Sequence, residues 1–165
     1  MLTESSEFSQ LKVHCTFIPL PGYSLLIPNA AVAEIIYTND LKLTKKEPEW
    51  YAGSVLWNET SIPIIYFERL EDKRIKIDIE KHIVSIIRNP EYIEEKNQIE
   101  FFGILSNQVP QVLIANNHTL EKDLHPENLH TFALNYVTIS DKSALIPDIC
   151  SIATHLQAET FLAVR

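Results

Sequence analysis

The chain has 165 residues, 45% of them apolar, with 22 acidic against 14 basic side chains and a formal charge of −8. That is enough apolar matter for one domain or two small ones sharing a core. The acidic balance opposes a phosphate backbone, and the basic pairs Lys45-Lys46 and Lys73-Arg74 are diluted by acids, so no nucleic-acid partner is expected.

The opening MLTESSEFSQ reads as a flexible polar lead-in over residues 1–10, with acids where an export signal would be basic. No apolar run approaches the roughly 20 residues that span a bilayer. A cytoplasmic chain without direct membrane insertion is therefore expected. Val13 to Leu20 and Tyr23 to Ile27 form a hairpin around Pro21-Gly22. Pro28-Asn29 breaks it, and Ala30 to Ile36 can begin as a single helical turn capped by Asn29 and finish as a strand, which periodicity alone does not decide. Thr38 to Pro48 is a lysine-rich connection. Glu47 to Phe67 compresses an aromatic-glycine corner (Trp50, Tyr51, Gly53), an apolar run to Trp57, the turn Asn58-Glu59-Thr60 and a second strand into one hairpin. Pro63 within that second strand removes a donor, which places it at an edge or at the start of the strand.

Arg74 to Glu80, RIKIDIE, alternates isoleucine with charge and reads as a strand with one wet face. His82 to Arg88, Ile99 to Ser106 and Val109 to Ala115 follow as strands, and Asn116 to His130 is a polar loop. Thr131 to Ile139 and Lys142 to Ile146 complete the β content. Pro147 opens a terminal helix reaching about Leu162, whose Ile149, Ile152, Ala153 and Leu156 share a docking face. The two halves echo each other. Leu25 to Ile36 aligns with Gly103 to Leu113, pairing Asn29 with Asn107 and Val32 with Val109, and Ile62-Pro63 echoes Ile146-Pro147. Two related β subdomains of about 70 residues, each marginal alone, should pack together.

Three scattered glycines, Gly22, Gly53 and Gly103, cannot build a phosphate loop, and no Ser or Thr stands in a triad order. His118, His125 and His130 share a loop with Glu121, Asp123 and Glu127, but at spacings that match no metal motif, so they read as solvated. Acid pairs such as Glu71-Asp72 and Glu94-Glu95 lie in polar connections. Cys15 and Cys150 sit in apolar sequence and read as buried reduced thiols. Trp50, Tyr51, Trp57 and Tyr66 read as packing around Gly53 in preference to a ligand platform. No catalytic residue, metal ligand or cofactor is assigned. A binding module fits best, and a small-ligand or metal-binding β-barrel is the alternative.

The order of features resembles the CheW family, the coupling proteins of bacterial chemosensory systems, across roughly Leu11 to Leu156. YSLLIPNAAVAEII looks like that family's strand and Val-x-Glu-Ile element. Pro48, Trp50 and Gly53 look like its Pro-x-Trp-x-x-Gly corner, and Ile62 to Ile65 like its Ile-Pro-Ile-Ile strand. GILSNQVPQVL and SALIPDICSIATHL look like its later strand, final Ile-Pro strand and terminal helix. The resemblance implies a mainly β fold of two tandem five-stranded SH3-like barrels with a C-terminal helix, in one domain over 11–160. It implies no catalysis, and coupling of chemoreceptor cytoplasmic tips to a CheA-type histidine kinase, with the receptor in the groove between subdomains. Partner contacts would fall on Val32, Glu34, Ile35, Gly53, Asn58 and Val109. The chain departs from the family where Asn58-Glu59 replaces an Arg-Gly turn, Tyr66 an aspartate, and Asn107-Gln108 an Asp-Gly, so the usual arginine-aspartate pair is missing. The accessory CheW-like proteins of type IV pilus chemosensory systems look similar in this respect.

Overall fold

The computed structural model describes residues 11–39, 41–43, 48–77, 80–96, 98–126 and 129–163, so the expected flexible lead-in lies outside the described residues. One sheet takes strands from both ends of the chain: β1 (Val13–Leu20) and β2 (Tyr23–Pro28) from the first. The middle supplies the other sheet: β3 (Val32–Tyr37), β4 (Lys42–Leu43), β5 (Tyr51–Trp57), β6 (Thr60–Ile65), β7 (Ile83–Arg88) and β8 (Phe101–Ser106). The chain then returns to the first sheet with β9 (Gln111–Ala115), β10 (Leu120–Lys122), β11 (Ala133–Ile139) and β12 (Lys142–Pro147), and ends in helix α1 (Ile149–Ala163). The strand orders are β10-β11-β12-β2-β1-β9 and β4-β5-β6-β8-β7-β3. The fold is thus mainly β, with two SH3-like subdomains and one C-terminal helix, and the short strands β4 and β10 add a sixth member to each sheet.

Strand periodicity explains why the long runs carry apolar residues on both faces. In β1, Cys15 and Phe17 point into the interior of the first subdomain with Leu26, Val137 and Ile139. Ile18 and Leu20, on the opposite face, join a core shared with Ile65, Ile87, Phe102 and Ile104 of the second sheet and with Ile152, Ala153 and Leu156 of α1. In β8, Leu105 turns instead into the second interior with Ile64, Val84 and Ile86. Strands buried on both faces lose the wet face that would make them alternate. Gly103 sits in this crowded second interior, where a Cβ would meet the side chains of Ile64 and Val84. Gly103→Ala is expected to cost about 1–3 kcal/mol by overpacking, read as a lower urea midpoint at unchanged slope.

The echo between the halves is structural. The parallel pairings Leu25↔Leu145 and Gly103↔Ile64 join β2 to β12 and β8 to β6, so that β2 and β8, which the sequence alignment equates, hold the same place in their sheets. The hairpins β5-β6 and β11-β12 match turn for turn. Each closes on two residues at positive φ, Asn58 and Glu59 in one and Ser140 and Asp141 in the other, the mark of a type I′ turn. Each also carries a register shift, between Tyr51 and Gly53 and between Ala133 and Asn135. Two details differ from expectation. The subdomains are not the two halves of the chain, because each combines a hairpin from one half with strands from the other. And Tyr51↔Ile65 matches Ala133↔Pro147, so the Ile-Pro echo is out of register by two positions.

Other expectations are corrected locally. Among described residues, Arg74 to Glu80 holds no strand. Ile75 and Ile77 are half-buried, and the Ile75 carbonyl accepts from Arg69 Nε at 3.1 Å instead of pairing in a sheet. Asn29 does not cap the turn Asn29–Ala31 with its side chain, because its Oδ1 accepts the Thr16 hydroxyl at 2.8 Å. Pro63 lies in an internal strand, opposite Ser54, and is tolerated because the parallel ladder to β8 starts only at Ile64. Pro147 ends β12 rather than opening α1. The helix start is organised by Asp148, whose carboxylate accepts from the Ser151 N–H at 3.1 Å and the Ser151 hydroxyl at 2.7 Å.

Candidate functional site

Where β2 crosses to β3 and β12 meets α1, the two subdomains leave a groove of about 450 Å³. One wall is Pro28, Ala30 and Ala31, whose small side chains keep the surface low, and the other is Leu134, Ile146 and Ile149. Leu134 is 59% exposed. Arg88 and Asp148 stand at the lining with opposite charges, and Arg88 Nε is 3.5 Å from Glu100 Oε1. Cys150 also lines the groove. Both cysteines are free, Cys15 buried and Cys150 half-buried. Burial first, then Glu91 and Asp148, pushes the Cys150 thiol up, which keeps it protonated and unreactive.

The six sequence-assigned partner residues do not converge on this groove. Val32, Glu34 and Ile35 lie on β3, the exposed edge of the second sheet. Glu34 Oε2 accepts the Trp57 indole N–H at 2.6 Å, which ties the acid to β5. Gly53 is buried with φ 141° at the β5 register shift, so glycine is required there by backbone conformation. Asn58 sits at the tip of the β5-β6 turn with φ 45°. Val109, 53% exposed, lies on the crossing from β8 back to β9, and neither it nor Val32 is in the groove lining. The walls that are there, Pro28 to Ala31 and Ile146 to Ile149, stood in the sequence as a chain break and as the start of the terminal helix.

The aromatic corner divides. Trp50 enters the shared core beside His155, at a centroid distance of 5.5 Å, while Trp57 packs edge-on to Phe101 at 5.0 Å. Tyr66 lies under the Arg69 guanidinium at 4.8 Å. No platform of stacked rings results.

At another place, one of the loop histidines that the sequence placed in water is buried. His118 and His125 are exposed, but His130 is 9% exposed, stacked on Phe67 at 4.6 Å. The Phe132 N–H donates to His130 Nδ1 at 3.0 Å, and the His130 N–H donates to the Tyr136 hydroxyl. Burial holds the imidazole below its usual range, against the opposing pull of Glu71. Glu71 Oε2 lies 3.8 Å from His130 Nε2, and Glu71 Oε1 accepts from the Thr131 N–H and hydroxyl at 3.3 and 3.4 Å. Glu68 is 2% exposed, and burial pushes its carboxyl up to about 7. No group of three or more His, Cys, Asp or Glu suited to a metal occurs among the described residues. No helix among them is long and apolar enough to cross a membrane.

No family model matches the chain, and no curated protein does. Among solved structures, the chain is similar to the crystal structure of the scaffolding protein TtCheW from Thermoanaerobacter tengcongensis, with a TM-score of 0.62 at 14% identity. The match covers 83% of this chain and 84% of that one. The likeness therefore extends through both subdomains, and it establishes the fold as that of the CheW scaffold.

Proposed function

We propose that residues 11–160 act as a single non-catalytic coupling domain that joins a chemoreceptor cytoplasmic tip to a CheA-type histidine kinase in the cytoplasm. The observation that carries this reading is the apolar groove of about 450 Å³ at the junction of the two sheets, on a fold shared with a scaffolding protein. A helical hairpin presenting small apolar side chains would bury against Ala30, Ala31, Leu134 and Ile146, in the helix-in-groove mode. With a net charge of −8, complementary charge would come from the partners. Exposed β3, with Val32, Glu34 and Ile35, and the Asn58 turn form a second face for the kinase's own related domain, and Val109 adds an exposed apolar contact. Gly53 serves that face through the shape of the β5 bulge. The Asn58-Glu59 and Tyr66 departures support placement with the accessory coupling proteins of a type IV pilus system.

The test is a pull-down and calorimetric titration of the full chain against a receptor tip fragment and a kinase regulatory domain. Leu134→Glu is expected to weaken receptor binding about tenfold or more by putting a charge into the apolar contact. Because Leu134 is exposed in the free chain, the melting temperature should hardly change. Absence of binding to both partners would reject the reading.

A further inference from the structure

We propose that the cavity beside His130 binds a neutral primary carboxamide, in a site independent of the coupling role. The cavity measures about 440 Å³ and opens between the Gly22 turn, β11 and β12. Tyr23, Glu71 and His130 are among its polar lining, and Val137 and Leu145 among its apolar lining. The imidazole is the unusual part. His130 is 9% exposed, and because the Phe132 N–H donates to Nδ1 at 3.0 Å, the proton of the neutral ring sits on Nε2. That buried N–H has no hydrogen-bond partner. Glu71 Oε2 lies 3.8 Å away, and the Phe67 carbonyl, the weakest influence on the ring, does not bond it. The Tyr23 hydroxyl, whose ring meets the imidazole edge-on at 6.1 Å, is likewise buried and unpartnered.

These groups together define the ligand. A buried N–H without a partner needs an acceptor, which an ammonium or a metal ion does not offer. Glu71 Oε1 is taken by Thr131, which leaves Oε2 to receive a donor. Asp123 adds a second carboxylate to the lining, and no lysine or arginine among the described residues lines the cavity, so a ligand carboxylate is repelled. What remains is a neutral group that carries an acceptor and a donor side by side. The oxygen and nitrogen of a primary carboxamide lie about 2.3 Å apart, as bond lengths of about 1.2 and 1.3 Å require. The 3.8 Å between Nε2 and Oε2 is too long for a direct hydrogen bond, but it admits that edge. The amide carbonyl then accepts from Nε2–H and the amide N–H donates to Oε2, each at about 2.9 Å. A single hydroxyl oxygen reaches both groups only with its two bonds at less than a right angle. The Tyr23 hydroxyl supplies a donor for the second lone pair of the carbonyl, and the body of the ligand lies along Val137 and Leu145.

The experiment titrates the full chain at neutral pH with benzamide, by calorimetry and histidine NMR. Methyl benzoate, which keeps the carbonyl and lacks the donor, is titrated beside it, with benzyl alcohol, benzoate and benzylamine. Benzamide is expected to bind at one site with a Kd of about 1 mM or tighter and to move the Nε2–H signal of His130, while the other four bind at least about tenfold more weakly. Glu71→Ala deletes the acceptor from an exposed position and should weaken benzamide about tenfold or more, as loss of a charge-assisted bond predicts. Ser143→Trp, which adds bulk at an exposed lining position, should abolish binding in a chain that still folds. Comparable binding of any of the four other compounds, an undiminished benzamide affinity in Glu71→Ala, an unmoved His130 signal, or no binding of benzamide would overturn the proposal.

Discussion

Phe67→Ala should destabilise the chain by about 3–5 kcal/mol, the usual cost of removing a fully buried aromatic ring. Phe67 is 0% exposed and sits in the core shared by both sheets and α1. It is also the plate on which the His130 ring rests, and it meets Tyr23 edge-on at 6.1 Å. Its loss opens a cavity where the two subdomains touch, and a domain stable by only 5–15 kcal/mol, the general range, has little to spare. Because neither interior contains this ring, the expected outcome in urea is one lowered transition for the whole chain, not two separated ones. Two separated transitions would mean that the sheets unfold independently and that the shared core contributes little to their association.

What the sequence disclosed and what it hid divide along the distance over which each feature is decided. Strand existence was legible wherever both faces are buried, because runs such as VHCTFIPL and FFGILS then carry apolar residues on both faces. The internal repeat was legible too at the level of strands: β2 and β8, which the alignment equates, hold the same place in their sheets, although Leu25 faces the shared core and Gly103 the second interior. Which strands pair was not. Nothing local in Leu25 or Leu145 announces that they meet, and so the exchange of hairpins between halves stayed invisible. RIKIDIE misled because alternation reports only that one side of a segment is covered, and a half-buried irregular stretch satisfies it as well as a strand does. Short β4 and β10 fall below the length at which periodicity can be read.

The candidate sites follow the same division. The groove is made by a chain break, Pro28 to Ala31, and a strand-to-helix junction, Ile146 to Ile149, brought together, and their composition gives no sign of a joint role. Glu34 was readable as a position of interest, but its bond to the Trp57 indole spans two strands and belongs to tertiary structure. The buried state of His130 and Glu68 was hidden for a different reason. Loop histidines and acids are solvated by default, and only the packing of Phe67 and Tyr23 around His130 removes it from water.

The pH dependence of stability should carry the mark of those two buried groups, with opposite signs. Glu68 has its folded pKa raised from 4.5 to about 7, with burial as the main cause and one oxygen lacking any hydrogen-bond partner. Between those values the folded state holds the proton more tightly than the unfolded chain. Its contribution is therefore fully present below about pH 4.5 and is lost as pH rises through about 7. The shift corresponds to roughly 3 kcal/mol. His130 is depressed from 6.5, so the unfolded chain takes up the proton first, and stability from this group falls as pH drops below that value. Glu68→Gln removes the ionisable carboxyl while keeping the shape. It should stabilise the chain at pH 8 by about 2–3 kcal/mol, and by much less at pH 5, where the native acid is already protonated. Denaturant melts of the two chains at both pH values decide the matter. A variant no more stable than the native chain at pH 8 would show that Glu68 ionises at no cost in the fold, through a compensating interaction with solvent or a neighbouring group.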